Sequence, residues 1–275
     1  NFTFCVRDFA FYVRYFAFHP RLKSDSRTDR KRDGRSLLEQ SIEDVFKNLG
    51  AQKELPFYAY IEADNSRSQQ MSKRFGFSPY TAIISRTFSR LYPRKMNGVS
   101  MSSDWNEIAA LVKKDYSHYD AYFDTHIRKG PFVVLRNAHG DVDAYAKFNL
   151  VEWKIHSLPG RFGSIWVKAL PFIPFLRKLI KPKAHLFLCP DIVSHQVDAK
   201  KLERFFSAAL ALYKANSIIW FVDPNDAVYE KVKNRFSWGI LDRIIGAKRV
   251  NVVMRNANSS YSIKRPFFVS AFDLI

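Results

Sequence analysis

The sequence predicts a mixed α/β fold, with an α+β mixed sheet, in which one domain occurs twice in tandem. Its 275 residues suit about two domains, and a hydrophobic content of 47% is enough for two packed cores. Apolar strands alternate with amphipathic helices along most of the chain, which is the order expected of α/β architecture. A shift of 161 positions also aligns two parts of the chain without a gap, as duplicated domains do. It lays Tyr60, Ile61, Glu62, Met71, Arg74, Phe75 and Phe77 over Phe221, Val222, Asp223, Val232, Arg235, Phe236 and Trp238.

The predicted first domain covers residues 1–97 and is centred on the stretch Phe57–Phe77. In this stretch a buried strand leads through a polar turn into a short helix. Asn65 or Ser66 is suited to begin that helix, and Gly76 is suited to end it. The predicted elements are strands within 1–20, a charged loop over 21–35, a helix over 35–49, a strand over 57–62, a helix from Asn65 to Gly76, and a strand over 81–91.

The predicted second domain covers residues 98–275, after a polar, turn-rich linker between Pro93 and Asp104. Its strand over 217–222 and the helix over 226–236 repeat the central elements of the first domain. The other predicted elements are helices over 104–116 and 119–127, strands over 132–136, 142–151 and 185–189, a helix over 198–215, and closing strands over 249–254 and 267–272.

Residues 155–183 form a basic insert in the second domain that combines apolar side chains with prolines and cations. Its apolar positions are Phe172, Ile173, Phe175, Leu176, Leu179 and Ile180, and its basic positions include Arg177, Lys178, Lys181 and Lys183. This pattern indicates either an amphipathic helix that lies on a membrane or partner, or a helix that packs its apolar face on the domain.

The chain is strongly basic, with 44 Lys and Arg against 26 Asp and Glu, a formal charge of +18 and a pI near 9.9. Such a charge favours a polyanionic partner, namely nucleic acid, an anionic membrane or a phosphate-rich cofactor, although it also serves solubility. Cys5 and Cys189 lie far apart and have no metal-binding spacing. Together with the lack of a signal-peptide pattern, this predicts a cytoplasmic protein.

Three segments together resemble the GNAT family of acyltransferases: FAFHP at 16–20, DGRSLL at 33–38 and EADNSRSQQMSKRFGF at 62–77. The resemblance implies an acyl-coenzyme A, such as acetyl-CoA, as co-substrate. The backbone of Phe16, Ala17 and Phe18 would then pair with the amides of the pantetheine arm. A basic loop at a helix N-terminus would hold the pyrophosphate through backbone N–H groups and cationic side chains. The implied coenzyme-binding residues beyond the strand are Arg30, Lys31, Arg32, Asp33, Gly34, Arg35, Ser36 and Asn65.

The same resemblance implies an N-acyltransferase that acts on an amine. Many members of the family carry a tyrosine seven residues after the helix asparagine, where it protonates the departing thiolate, but Ser72 stands at that position here. Serine is a poor general acid because its pKa lies far from neutrality. Glu62, at the end of its strand, is the candidate base that accepts the proton of the attacking amine.

The second domain lacks the coenzyme loop, because PDIVSHQV at 190–197 contains neither glycine nor arginine. We therefore expect a degenerate copy that binds no coenzyme A and instead completes the acceptor pocket or stabilises the first copy. Only about ten residues precede the predicted coenzyme strand, so the first domain is expected to be N-terminally incomplete.

Other chemistries find little support in the sequence. The seven histidines show no metal-binding spacing, so no metal is expected, and no nucleophile motif appears. The main alternative is a catalytically inactive GNAT-like protein that binds nucleic acid or an anionic surface. The missing tyrosine, the long basic loop and the charge of +18 favour this alternative.

Overall fold

The computed structural model describes residues 3–6, 11–14, 40–48, 56–156, 167, 172–173, 176–255 and 266–274. The chain divides into two compact units. Unit 1 comprises Asn1–Ala82 and Val250–Lys264, and unit 2 comprises Ile83–Arg249 and Arg265–Ile275. Each unit is built around β-strands and a crossover helix, as the predicted α/β class requires.

The described residues of unit 1 form four neighbouring strands and two helices. The strands are β1 (Thr3–Val6), β2 (Phe11–Arg14), β3 (Phe57–Glu62) and the part of β10 (Lys248–Arg255) that begins at Val250; the helices are 40–48 and Ser66–Arg74. β1 pairs with β2 antiparallel, β2 with β3 parallel, and β3 with β10 antiparallel. The core is aromatic, because the ring of Phe46 packs edge-on against Phe57, Phe75 and Phe77 at centroid distances of 4.9, 5.9 and 5.6 Å.

Unit 2 contains six strands in the order β4-β9-β8-β7-β6-β5. These strands are β4 (Ser78–Ser89, in unit 2 from Ile83), β5 (Val99–Ser102), β6 (Phe132–Arg136), β7 (Val142–Trp153), β8 (His185–Val193) and β9 (Ser217–Val222). The helices are Asn106–Tyr116, Leu176–Leu179, Ala199–Tyr213, Ala227–Val232, Ile240–Ile245 and Ala271–Leu274. All pairs are antiparallel except β8 with β9, which are parallel.

The helix Ala199–Tyr213 connects the two parallel strands of unit 2 and carries much of the core on one face. Leu202, Phe205, Phe206 and Ala209 are fully buried, at the helical spacing that the sequence predicts. Asp198 begins the helix by accepting a hydrogen bond from the Lys201 backbone N–H at 2.9 Å. A parallel strand pair with a crossover helix is therefore present in this unit.

The strand that follows each short helix passes into the other unit. β4 follows the helix Ser66–Arg74, begins in unit 1 and pairs with β9 of unit 2 from Ile84 to Ser89. β10 lies near the end of the second predicted domain, but it pairs with β3 over its full length in unit 1. The compact units therefore divide the chain differently from the boundary near Asn97, and the domain limits 1–97 and 98–275 stay a prediction.

Several predicted elements differ from those found. Residues 119–127 are not helical, because Ala121 has a φ of 61° and Asp120 forms an isolated bridge with Phe267 instead. The predicted strand over 267–272 gives way to the helix Ala271–Leu274, whose first N–H donates to the Asp191 carboxylate at 2.8 Å. The helix over 226–236 ends at Val232. The short β5 lies in the predicted linker, and the helix Ile240–Ile245 was not predicted.

Candidate functional site

The candidate site of unit 1 begins where β2 and β3 run side by side. Their parallel pairing joins Phe11 to Phe57 and Tyr12 to Tyr58. Beyond these positions, the predicted coenzyme strand and loop lie outside the described residues. This applies to Phe16, Ala17, Phe18, Arg30, Lys31, Arg32, Asp33, Gly34, Arg35 and Ser36. Three predicted site residues are described, namely Glu62, Asn65 and Ser72.

Asn65 is the N-cap of the helix Ser66–Arg74. Its side-chain oxygen accepts a hydrogen bond from the Ser68 backbone N–H at 3.0 Å, and its own N–H donates to the Glu62 carbonyl at 3.0 Å. Gln69 reinforces the turn by donating from its amide to the Ala63 carbonyl at 2.8 Å. Asn65 therefore closes the turn between β3 and the helix, and its predicted role as a helix start is confirmed.

Glu62 lies at the carboxyl end of β3 and is exposed to solvent. Its backbone takes part in the sheet opposite Val250, whereas its carboxylate makes no hydrogen bond or ion pair with any described residue. A carboxylate without a partner, carried on a strand, is available to accept a proton or to contact a cationic group.

Ser72 lies on the inner face of the same helix and is only 3% exposed. Its hydroxyl donates to the Gln69 carbonyl one turn earlier at 2.9 Å. Ser72 is therefore shielded from solvent rather than exposed on the outer face of the helix. To serve a departing thiolate, its hydroxyl would have to leave the bond to Gln69.

The helix ends at the predicted glycine. Gly76 has a φ of +73°, and its N–H donates to the Lys73 carbonyl at 3.1 Å while the Phe77 N–H donates to the Ser72 carbonyl at 3.0 Å. This pair of bonds is the Schellman motif, in which glycine takes the left-handed conformation without a steric penalty. Phe77, 3% exposed, then returns to the core of unit 1.

In unit 2, residues near the C-terminus pack against the parallel strands β8 and β9, which are the counterparts of β2 and β3 in unit 1. β8 and β9 pair at two positions, Phe187 with Ser217 and Leu188 with Ile218. Ala271 packs in a cluster with side chains from both strands, including Cys189 and Ile219. Asp191 accepts from the Ala271 N–H at 2.8 Å, and Asp223 accepts from the Phe267 N–H at 3.1 Å. These residues near the C-terminus thus contact both strands beyond the two positions at which the strands pair. This gives a physical reason why the second copy would bind no coenzyme A, which stays a prediction.

A buried cluster of tyrosine, histidine and aspartate lies at the carboxyl ends of β8 and β9, and sequence reasoning missed it. The Tyr119 hydroxyl donates a hydrogen bond to the Asp226 carboxylate at 2.8 Å, and the hydroxyl oxygen lies 3.3 Å from Nε2 of His195. With the tyrosine hydroxyl donating to the carboxylate, its oxygen is an acceptor for the histidine tautomer that carries its proton on Nε2. Asp115 accepts from the Tyr145 hydroxyl at 2.7 Å and from the His195 backbone N–H at 3.1 Å.

Burial sets the protonation of this cluster. It raises the pKa of the Tyr116, Tyr119 and Tyr145 hydroxyls, and nearby carboxylates raise them further. It lowers the pKa of His195, although Asp226 and Asp115 oppose that shift. The tyrosines therefore act as neutral hydrogen-bond donors. The cluster also places carboxylates at the strand ends, whereas a pyrophosphate site would need cations there.

The 161-residue repeat offered a signal for part of this cluster, because it aligns Asp226 with Asn65. Asp226 is indeed the N-cap of the helix Ala227–Val232, accepting from the Val228 and Tyr229 N–H groups at 2.8 Å each. No local pattern in the sequence points to Tyr119 or His195, since their contacts join residues more than 75 positions apart. No group of three metal-ligating side chains occurs in the part of the chain that the structure describes.

The sequence matches no protein-family model, and none of the curated proteins matches it. Solved structures do match. N-myristoyltransferase from Saccharomyces cerevisiae with bound myristoyl-CoA superposes with a TM-score of 0.53 at 9% identity, over 94% of this chain and 68% of that enzyme. A second structure of that enzyme gives 0.53 at 10% identity, over 94% and 65%. The chain has a GNAT-like fold.

The GNAT-like fold confirms the predicted mixed α/β class and the resemblance found in the sequence, whereas the tandem repeat of one domain stays a prediction. A GCN5-related N-acetyltransferase from Sphaerobacter thermophilus is a further match, with a TM-score of 0.46, 11% identity, and coverage of 90% of this chain and 72% of that protein. At such identities the likeness shows the fold alone. The chain spans about two thirds of the length of the yeast enzyme.

Proposed function

We propose that the protein is an acyl-coenzyme A dependent N-acyltransferase that acts on an amine. The observation that carries this proposal is the fold, which over 94% of the chain resembles an enzyme with bound myristoyl-CoA. In the reaction, the amine nitrogen attacks the thioester carbonyl and forms a C–N bond as the C–S bond breaks. The proton that the amine loses balances the thiolate, which leaves as the free thiol of coenzyme A.

The coenzyme site proposed for unit 1 uses the residues implied by the sequence. The basic loop from Arg30 to Ser36 holds the pyrophosphate, and the backbone of Phe16–Phe18 pairs with the pantetheine amides. Asn65, in the capping turn after β3, is the remaining proposed coenzyme-binding residue. The resemblance found in the sequence favours acetyl-CoA as the co-substrate. The myristoyl-CoA bound to the yeast enzyme makes a long-chain acyl-CoA an equal candidate.

Glu62 is the proposed base. Its carboxylate is exposed and unpaired among the described residues, at the end of a strand whose position is held by pairing with β10. Ser72 is the proposed hydrogen-bond donor to the leaving thiolate, from a hydroxyl that in the free protein contacts Gln69. Because serine is a weak acid, positioning of the two substrates carries most of the rate enhancement in this proposal.

The test is thiol release from acetyl-, octanoyl- and myristoyl-CoA in the presence of a panel of amines and N-terminal peptides. We expect Glu62→Gln to lower kcat about 100-fold near neutral pH, because general-base catalysis typically contributes that much. Asp64→Asn is the matched control, since it removes an exposed carboxylate two residues away in the same turn. Equal activity of Glu62→Gln and the wild type would remove Glu62 from the mechanism.

The second candidate is a catalytically inactive protein on the same fold that binds nucleic acid or an anionic surface. The intrahelical bond of Ser72 and the formal charge of +18 favour it. Amine-dependent thiol release from any acyl-CoA would exclude this candidate. The absence of release from every acyl-CoA, together with salt-sensitive binding to DNA or vesicles, would establish it.

A further inference from the structure

Two short helices of unit 2 share one small apolar core. Leu179 and Ile180, from the end of the helix Leu176–Leu179, are buried together with Leu241 of the helix Ile240–Ile245. Leu91, Ile155, Leu176 and Ile240 pack around them. The packing places the two basic segments of unit 2, residues 176–183 and 240–249, side by side.

Large apolar side chains project from these segments into solvent. Phe172 is 86% exposed, and Ile244 and Ile245 are 59% and 44% exposed. Phe172 belongs to the first segment because the next residue, Ile173, accepts a hydrogen bond from the Arg177 N–H at 3.0 Å. Single exposed apolar residues are ordinary on a protein surface. Several exposed apolar residues next to one shared core instead indicate a surface that binds an apolar partner.

The same two segments carry many exposed cations and contain one acid. The exposed basic residues of the two segments are Arg177, Lys178, Lys181, Lys183, Arg243, Lys248 and Arg249. The only acid in residues 176–183 and 240–249 is Asp242, which is buried and bonded to Arg86 through both carboxylate oxygens at 3.0 and 2.8 Å. Lys178 also lies 4.3 Å from the ring centre of Tyr92, which is 70% exposed.

We propose that this basic apolar face, formed by residues 172–173, 176–183 and 240–249, docks on an anionic lipid bilayer. Phe172, Ile244 and Ile245 would enter the boundary between headgroups and acyl chains, while the cations contact lipid phosphates. Nucleic acid satisfies the cations but offers no hydrocarbon to the two isoleucines, so the exposed aliphatic side chains favour the bilayer. None of the helices in the described ranges is long and apolar enough to cross a membrane.

The experiment is co-sedimentation of the whole chain with vesicles of phosphatidylcholine alone and of phosphatidylcholine mixed with phosphatidylserine. We expect binding to the mixed vesicles that weakens with salt. Arg243→Glu with Lys248→Glu should reduce the partition coefficient about 25-fold or more, because each cation near an anionic surface contributes about fivefold. Lys113→Glu with Lys114→Glu makes the same charge change at exposed positions of the helix Asn106–Tyr116 and should leave binding nearly intact.

The apolar contribution has its own pair of variants. Ile244→Ser with Ile245→Ser should lower binding to the mixed vesicles about tenfold at constant net charge, since burial of each methylene in the membrane is favourable. Met101→Ser with Leu212→Ser removes two side chains of similar exposure elsewhere in unit 2 and should have little effect. Circular dichroism melting of each variant verifies the fold.

Two results would overturn the proposal. One is equal binding of the isoleucine variant and the wild type, which would mean that charge alone drives association. The other is salt-sensitive binding to duplex DNA or RNA with no binding to mixed vesicles, which would assign the basic apolar face to nucleic acid.

Discussion

Two buried polar residues show how position decides what a side chain can do. Ser72 and His185 are 3% and 6% exposed. The Ser72 hydroxyl and one ring nitrogen of His185 each make a hydrogen bond within their own unit. Ser72 bonds to its own helix, which removes it from solvent and limits its use as an acid. His185 lies 3.2 Å from the Ser217 hydroxyl across the parallel strands β8 and β9, and its Nδ1 has no hydrogen-bond partner in the described structure.

Burial, and secondarily Lys181, lowers the pKa of His185 from 6.5 to about 4. A folded-state pKa below the unfolded value means that the unfolded chain binds the proton first as the pH falls. The contribution to stability is therefore present above pH 6.5 and is lost on acidification towards pH 4. We expect the free energy of unfolding to drop by about 2 kcal/mol between pH 7 and pH 5 from this residue.

Urea unfolding of the wild type and of His185→Gln at pH 7 and pH 5 measures this contribution. Glutamine does not titrate, so the variant should lose less stability on acidification than the wild type. The comparison concerns the change with pH, because the variant can differ from the wild type at pH 7 for packing reasons. An identical loss in both proteins would contradict the assignment.

The short helix after the central strand occurs in both units with different capping residues. Asn65 accepts one backbone hydrogen bond in unit 1, whereas Asp226 accepts two and also accepts a hydrogen bond from the Tyr119 hydroxyl. We expect Asn65→Ala to lower stability by about 1 kcal/mol, the usual value for a lost cap. Asp226→Ala should lower it by about 1 to 3 kcal/mol more, since a buried hydroxyl loses its acceptor.

Chemical denaturation of both variants tests this ranking. Asp226→Asn is the control, because the amide oxygen retains the capping geometry while the charge is removed. If Asp226→Ala were no more destabilising than Asn65→Ala, the contact between Tyr119 and Asp226 would contribute nothing to stability.

Local signals explain which elements the sequence could predict. The helix Ser66–Arg74 was located correctly because its cap, its apolar face and Gly76 all lie within a few residues of one another. The buried helix face of Ala199–Tyr213 was predicted for the same reason. Residues 119–127 were misassigned because contacts with Pro266 and Phe268, distant in sequence, replace helical hydrogen bonds there. No local sequence pattern indicates that β10 pairs with β3, or that His195 contacts Tyr119.

At the scale of the whole molecule, the GNAT-like fold is shown, and the chemistry is proposed from it. Unit 1 carries the candidate base and the capping turn, together with the proposed coenzyme strand and loop outside the described residues. The corresponding strand ends of unit 2 carry buried carboxylates and contact residues near the C-terminus. This contrast between a cationic loop and an acidic cluster predicts one coenzyme site per chain, located in unit 1.

The central claim, that this fold binds acyl-coenzyme A, is tested most directly by thermal unfolding with acetyl-CoA and myristoyl-CoA. A ligand that binds only the folded state at 100 times its Kd stabilises it by about 2.7 kcal/mol, so we expect a clear rise in Tm. Arg30→Glu, Lys31→Glu and Arg32→Glu together should abolish the rise, whereas charge reversal at Lys113, Lys114 and Lys129 should preserve it. An unchanged Tm of the wild type at millimolar concentrations of both coenzymes would contradict the account.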